Sequence, residues 1–214
     1  MGGGGSSNDR VAGGGPRKTI VVTGCTSGLG LALAEAYAAM GHRVVGCGRR
    51  EDRIAELAAR LGGDHVLGVC AVDDEASVAA WAVHALSVVP EGIDVLINNA
   101  GVSDGGGQDL WTVPRETWEK VLDTNVHGIL NVMRHLVPSM VERGGEGLIV
   151  NISSGTGHST FDSSGNGVYS TSKWAVESIS KCMAMSLPPG IICVPWAPGI
   201  VRTEVGQFLP PLYP

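Results

Sequence analysis

At 214 residues the chain suits one domain with a substantial core, and a 43% share of hydrophobic side chains gives it a globular composition. A formal net charge of −6 without a basic stripe argues against a nucleic-acid partner, and no run of about eighteen apolar residues offers a membrane span. The 5 cysteines are scattered and form no CxxC pair, which argues against a zinc site or disulfide framework and for a reducing, cytoplasmic setting.

Residues 1–16, MGGGGSSNDRVAGGGP, read as a flexible glycine-rich tail with neither the apolar core of a secretory leader nor the arginines of a transit sequence. The pattern changes at residue 17. KTIVVTG, ending at Gly24, is a β-branched run of the kind a buried parallel strand shows. GLALAEAYAAMG then has alanine-rich helical spacing and a glycine stop. HRVVGCG predicts a strand, REDRIAELAARLGG a helix and HVLGVCAV a strand. DEASVAAWAVHALSVV predicts a helix whose acidic start suits its positive end. GIDVLINNAG is a strand running into a loop, and residues 115–143 predict two helices with a kink. GLIVNISS predicts a fifth strand, YSTSKWAVESISKCMAMSL a helix and GIICVPWAPG a sixth strand. Strict alternation of strand and helix implies right-handed crossovers. The expected fold is therefore a single α/β domain over 17–214, a Rossmann-type, doubly wound parallel sheet in three α/β/α layers. Ligands of such folds bind outside the carboxyl ends of the strands.

The first of those loops is TGCTSGLG. Gly24 allows a tight exit from the strand, Gly28 lets backbone approach a pyrophosphate, and Gly30 permits close packing of helix on strand. With Thr26, Ser27 and Leu29 they form a candidate dinucleotide cradle. The second strand ends in Gly48-Arg49-Arg50, where NAD-binding sheets carry a carboxylate for the ribose. A guanidinium there suits the adenosine 2′-phosphate, so the expected cofactor is NADP(H), with Arg49 the first choice and Arg50 the second.

TGCTSGLG, NNAG (Asn98–Gly101), NISS (Asn151–Ser154), YSTSK (Tyr169–Lys173) and PGIVRT (Pro198–Thr203) occur in that order. Together they resemble the short-chain dehydrogenase/reductase family over roughly residues 18–203. GHRVVGCGRR, LDTNVHGILNVMRHLVPSM, GLIVNISSG and YSTSKWAVESIS resemble most the members that reduce pterin aldehydes with NADPH. The resemblance implies an NADP-dependent oxidoreductase that reduces a small carbonyl, an aldehyde or ketone, with a pterin aldehyde the named candidate. Tyr169 would be the general acid. A free phenol near pKa ~10 is a weak proton donor at neutral pH, and Lys173, one turn away on the same helical face, would favour the phenolate. Lys173 would also hold the nicotinamide ribose. Ser154 would hydrogen-bond the substrate oxygen, while Ser153 should point to the opposite face. Asn125 would fix a water beside the lysine. Asn98 would stabilise the sheet by side-chain bonds to backbone. Asn99, Ala100 and Gly101 would let the adenosine ribose come close, Val72 would offer backbone to the adenine, and Pro198, Gly199, Ile200 and Thr203 would cover the carboxamide. The long helices after the fourth and fifth strands would pair copies into a homodimer or homotetramer.

Three features depart from the family pattern. Ala71 stands where an adenine-binding aspartate is usual, with Asp73 and Asp74 as substitutes just beyond. GTGHSTFDSSGNG, before Tyr169, is longer than usual and brings His158, Thr160 and Phe161 toward the substrate, with Trp111, Trp196 and Phe208 as further aromatic candidates; for His158 a surface role and for Trp196 a core or interface role are the simpler readings. The sequence ends at Pro214, before the family's usual seventh strand, from which reduced stability and looser substrate binding are expected. The last departure and Ala71 keep a second reading open, a non-catalytic or weakly active dinucleotide-binding scaffold.

Overall fold

The computed structural model describes residue 11, residues 15–158, residues 166–199 and residue 201. Six strands form one parallel sheet: β1 (Thr19–Thr23), β2 (Arg43–Gly48), β3 (Val66–Val69), β4 (Val95–Asn98), β5 (Gly147–Ile152) and β6 (Ile191–Trp196). Their order is β3-β2-β1-β4-β5-β6. The chain therefore reverses direction across the sheet between β1 and β4, the place where doubly wound sheets open a crevice at the strands' carboxyl ends. Between the strands run α1 (Gly28–Ala39), α2 (Glu51–Leu61), α3 (Glu75–Ser87), α4 (Arg115–Leu122), α5 (Gly128–Arg143) and α6 (Gly167–Ser186). The Rossmann-type architecture expected from the alternation is the one observed.

Period-two alternation sorts the strand side chains into two cores. Val21, Val45, Leu96 and Ile149 face α3 and α5, packing with Val78, Trp81, Met133, Leu136 and Met140. Their neighbours Ile20, Val22, Val44, Ile97 and Ile152 face α1 and α2, against Ala34, Ile54 and Leu57. Every residue of β1 is buried, as a central strand covered on both faces requires.

Local chemistry sets where the helices begin and end. Asp74 caps α3, its carboxylate accepting from the amides of Ala76 at 3.0 Å and Ser77 at 3.3 Å. Asp74, one of the two substitutes expected for Ala71, thus spends its Oδ1 on capping. The amide of Ala71 donates to Ser77 Oγ at 3.2 Å, and Asp73 is exposed. The kink expected within residues 115–143 is a π-helical turn over Asp123–His127 that joins α4 to α5. Gly128 opens α5 here because a Cβ would meet Val72 Cγ2 at 2.7 Å, and Asn131 Nδ2 donates to the Val72 carbonyl at 3.0 Å. At the other edge β6 turns Ile192, Val194 and Trp196 outward. Trp196, half-buried beside Ile152 of β5, lines an apolar depression on the α1 side of the sheet with Leu33, Tyr37, Ile97, Val150, Ile152 and Val194.

Candidate active site

The first loop is built as a cradle. Gly24 and Gly28 have φ of +66° and +52°, a left-handed backbone that side chains with a Cβ disfavour. Gly30 has no room for a Cβ, which would run into the Gly24 carbonyl and Asn99 Nδ2. The start of α1 has no side-chain cap, since Ser27 is extended and its hydroxyl makes no capping bond. Its first amides are thus free for an anion. Leu29 packs its side chain against the core on the α1 side, so only its backbone faces the loop. Thr26 lies over Gly48, where a Cβ would come within 2.9 Å of the threonine side chain.

Arg49 and Arg50 follow, and both are exposed. Arg50 forms a two-pronged pair with Asp52, Nε to Oδ1 at 3.2 Å and Nη2 to Oδ2 at 2.6 Å, which holds the Asp52 carboxyl below its usual value. Arg49 makes no such pair among the described residues, so it is the free guanidinium at this end of β2. The chemistry of the donors fits a dinucleotide: uncapped amides, glycines in close approach and, among the described residues, a cation without a carboxylate partner.

The loop after β4 leads from this cradle to a second cluster. Asn99 Nδ2 donates to the carbonyls of Thr23 at 2.9 Å and Gly24 at 3.2 Å, while Thr23 Oγ1 accepts from the amides of Asn99 and Ala100, both at 3.0 Å. The side-chain bonds to backbone expected of Asn98 belong instead to Asn99. Asn98 instead donates to Asn151 Oδ1 at 2.8 Å, because the two are paired in register on β4 and β5 and so share one face of the sheet. Three residues beyond Asn98, a Cβ on Gly101 would sit 3.2 Å from Asn125 Oδ1 and 3.7 Å from Lys173 Nζ.

Tyr169 and Lys173 stand one turn apart on α6, with the Lys173 Nζ 5.4 Å from the centre of the Tyr169 ring. Nζ donates to the Ile152 carbonyl at 2.8 Å. Lys173 is 4% exposed, and burial lowers its ammonium from the usual 10.5 to about 8. Ser154 stands close enough to Tyr169 to lower its phenol. Burial raises the phenol above its ordinary value and outweighs the lowering by Ser154. The depressed phenol expected from Lys173 is therefore not the balance struck by the protein groups alone, where loss of solvation dominates. Ser154 Oγ accepts from the Thr156 amide at 3.4 Å and the Thr156 hydroxyl at 3.3 Å, whereas Ser153 is buried and its Oγ meets no partner among the described residues.

Asn125 occupies the π turn and is fully buried. Its Oδ1 accepts from the Val102 amide at 2.8 Å, and its Nδ2 donates to the Val102 carbonyl at 2.9 Å and to Ser172 Oγ at 3.0 Å. These bonds anchor the Val102 segment and α6 to the π turn, which is compatible with the water-holding role expected of Asn125. Val72 contributes its side chain to the core and its carbonyl to Asn131. Pro198 and Gly199, φ +74°, follow the end of β6. Ile200 and Thr203, with Thr160, Phe161 and Phe208, lie outside the described residues. Trp111 is 84% exposed. Its neighbour Leu110 packs on Gly167 at the start of α6, while His158 sits at the surface, 4.0 Å from Glu177. Among the described residues no cluster of side chains could hold a metal ion, and no helix is long and apolar enough to cross a membrane.

Residues 18–211 match the sequence profile of the family described as short chain dehydrogenase. The NADPH-dependent pterin aldehyde reductase of Arabidopsis thaliana is 37% identical over 204 residues, covering 94% of this chain and 80% of that protein. Serine 3-dehydrogenase of Rhizobium radiobacter is 36% identical over 191 residues, covering 87% of this chain and 73% of that protein. Among solved structures, 3-ketoacyl-(acyl-carrier-protein) reductase from Brucella melitensis complexed with NADH superposes with a TM-score of 0.83 at 28% identity, covering 90% of this chain and 79% of that one.

Proposed function

The chain belongs to the short-chain dehydrogenase/reductase family of oxidoreductases, and on that premise we propose that it reduces a small aldehyde or ketone to the alcohol with NADPH. The observation that carries the proposal is the convergence at the sheet's carboxyl edge. Three residues, Asn99 to Gly101, run from the glycine cradle to Lys173, and Lys173, Tyr169 and Ser154 stand together at the far end. A separate scaffold role would not require that assembly.

Bound NADPH would supply the hydride to the carbonyl carbon. Ser154, whose Oγ accepts from Thr156, would donate its hydroxyl proton in a hydrogen bond to the carbonyl oxygen. Tyr169 releases its proton to that same oxygen as negative charge develops there. Lys173 then favours the phenolate, and solvent restores the proton. The sum is one carbonyl, one NADPH and one proton giving one alcohol and one NADP. Gly24, Gly28, Gly30 and the first amides of α1 would hold the pyrophosphate, and Arg49 the 2′-phosphate.

A flat heteroaromatic aldehyde of the pterin type is the substrate class we favour. It is supported by the named activity of the 37% identical relative and by Trp111, exposed beside the start of α6 and able to stack on a ring. Homo-oligomers formed through α5 and α6, and a cytoplasmic setting suited to five free cysteines, belong to the same proposal. NADPH consumption against a panel of aliphatic, aromatic and pteridine aldehydes tests it. Wild-type protein should turn over at least one aromatic member, and Tyr169→Phe should lose about 10²- to 10⁴-fold in kcat. Binding of NADPH without turnover of any carbonyl would favour the scaffold reading instead.

A further inference from the structure

The stretch Tyr169–Lys173 carries three hydroxylated residues between its phenol and its ammonium, and two of them are buried: Ser170 at 7% and Ser172 at 0% exposure. Each reaches a different neighbour. Ser170 Oγ donates to the Thr156 carbonyl at 2.9 Å, two residues beyond Ser154. Ser172 Oγ donates to the Tyr169 carbonyl at 2.6 Å and accepts from Asn125 Nδ2 at 3.0 Å. Thr171 only bonds back within the helix, to the Gly167 carbonyl at 2.8 Å, and is exposed.

The geometry points to Ser170 and Ser172 as positioning residues that tie the Tyr169 turn to the Ser154 loop on one side and to the Asn125 turn on the other. A serine that bonds back to its own helix is commonplace. What separates these two is that each hydroxyl is shared with another element, across 14 and 47 residues of sequence. Tyr169 reaches Ser154 only if α6 and the loop after β5 keep their relative height, and Ser170 fixes that height. Lys173 stays beside Asn125 and Gly101 only if α6 keeps its rotation against the π turn, and Ser172 fixes that rotation. Positional error in a reacting group of well under a bond length is enough to slow proton transfer.

This inference rests on Tyr169 being the proton donor, and the experiment separates the two. Ser170→Ala and Ser172→Ala should each lower kcat about 5- to 10-fold, the loss of one well-made hydrogen bond, while the NADPH dissociation constant, read by fluorescence, stays within about twofold. Because the Ser154 contact lowers the phenol, loosening it in Ser170→Ala should move the basic limb of the kcat–pH profile to higher pH. Ser170→Thr keeps the hydroxyl and should restore both rate and profile. If Ser172→Ala does not fold, Ser172→Cys keeps the volume with a poorer hydrogen-bonding group and should give a smaller loss of kcat. Alanine variants that melt at lower temperature yet keep the wild-type kcat and pH profile would overturn the inference while leaving Tyr169 in its role. Full turnover by Tyr169→Phe would overturn the role of Tyr169 and this inference with it.

Discussion

Arg49 and Arg50 are adjacent and both exposed, yet among the described residues Arg50 alone of the two has its guanidinium engaged by a carboxylate, that of Asp52. Arg49→Ala should therefore lower kcat/KM for NADPH about 10- to 100-fold, as expected for loss of a charge-assisted pair, and leave NADH nearly unchanged. Steady-state rates with both cofactors check this, and an unaltered preference would remove Arg49 from the 2′-phosphate site. Lys173 makes a prediction of another kind. Its folded value of about 8 lies below the ordinary 10.5, so between those values the unfolded chain binds more protons and stability rises with pH. Tyr169, raised in the fold, acts oppositely only above pH ~10. Between pH 8 and 10 the wild type should thus gain roughly 2–3 kcal/mol relative to Lys173→Met, measured by denaturant melts at each pH. A flat difference would mean that the ammonium is better solvated than its burial implies. The types and order of these site residues were legible in the sequence. Their partners were not: Asn98 and Asn99 are indistinguishable in NNAG until the turn at the end of β4 decides which one faces backbone.

Glycine and histidine act on whole elements. Gly30 brings α1 against Gly24 and Asn99, and a Cβ there collides with both. Gly30→Ala should cost about 1–3 kcal/mol and weaken NADPH binding, because the same displacement moves the first amides of the helix. Calorimetry with and without NADPH reads both effects. At the opposite end of the sheet, His42 Nδ1 accepts from the Lys18 amide at 3.2 Å and His65 Nδ1 from the Val44 amide at 3.0 Å. Both imidazoles are lowered, first by burial, and protonation would remove both acceptors. A base lowered in the fold supports stability above its ordinary value near 6.5 and loses that support as pH falls below it. The wild type should lose stability from pH 7 to 5, and His65→Asn, an acceptor that does not titrate, should lose less. Strand and helix identity were legible from periodicity, and so was an interruption within residues 115–143. That the interruption is a π turn was not, because its cause is tertiary: Asn125 reaching Val102 and Gly128 pressing on Val72.

At the scale of the molecule, alternation of strand and helix foretold a doubly wound parallel sheet, while the strand order that reverses between β1 and β4 came from the structure. Surface use was less legible, since an exposed apolar side chain is ordinary by itself. α5 and α6 leave Leu130 and Trp174 exposed at 36% and 48%. If copies pair through these helices, sedimentation should find a dimer or tetramer, and Trp174→Glu should shift it toward monomer; an unchanged mass would place the contact elsewhere. The proton-donor role of Tyr169 is tested most directly by isotope. NADPH carrying deuterium at the transferred position of its nicotinamide is mixed with an aromatic or pteridine aldehyde, and the alcohol is analysed by mass spectrometry. Wild-type protein should place one deuterium on the former carbonyl carbon, while Tyr169→Phe, binding NADPH as tightly, should yield almost no alcohol. Labelled alcohol formed equally by both proteins would contradict the account.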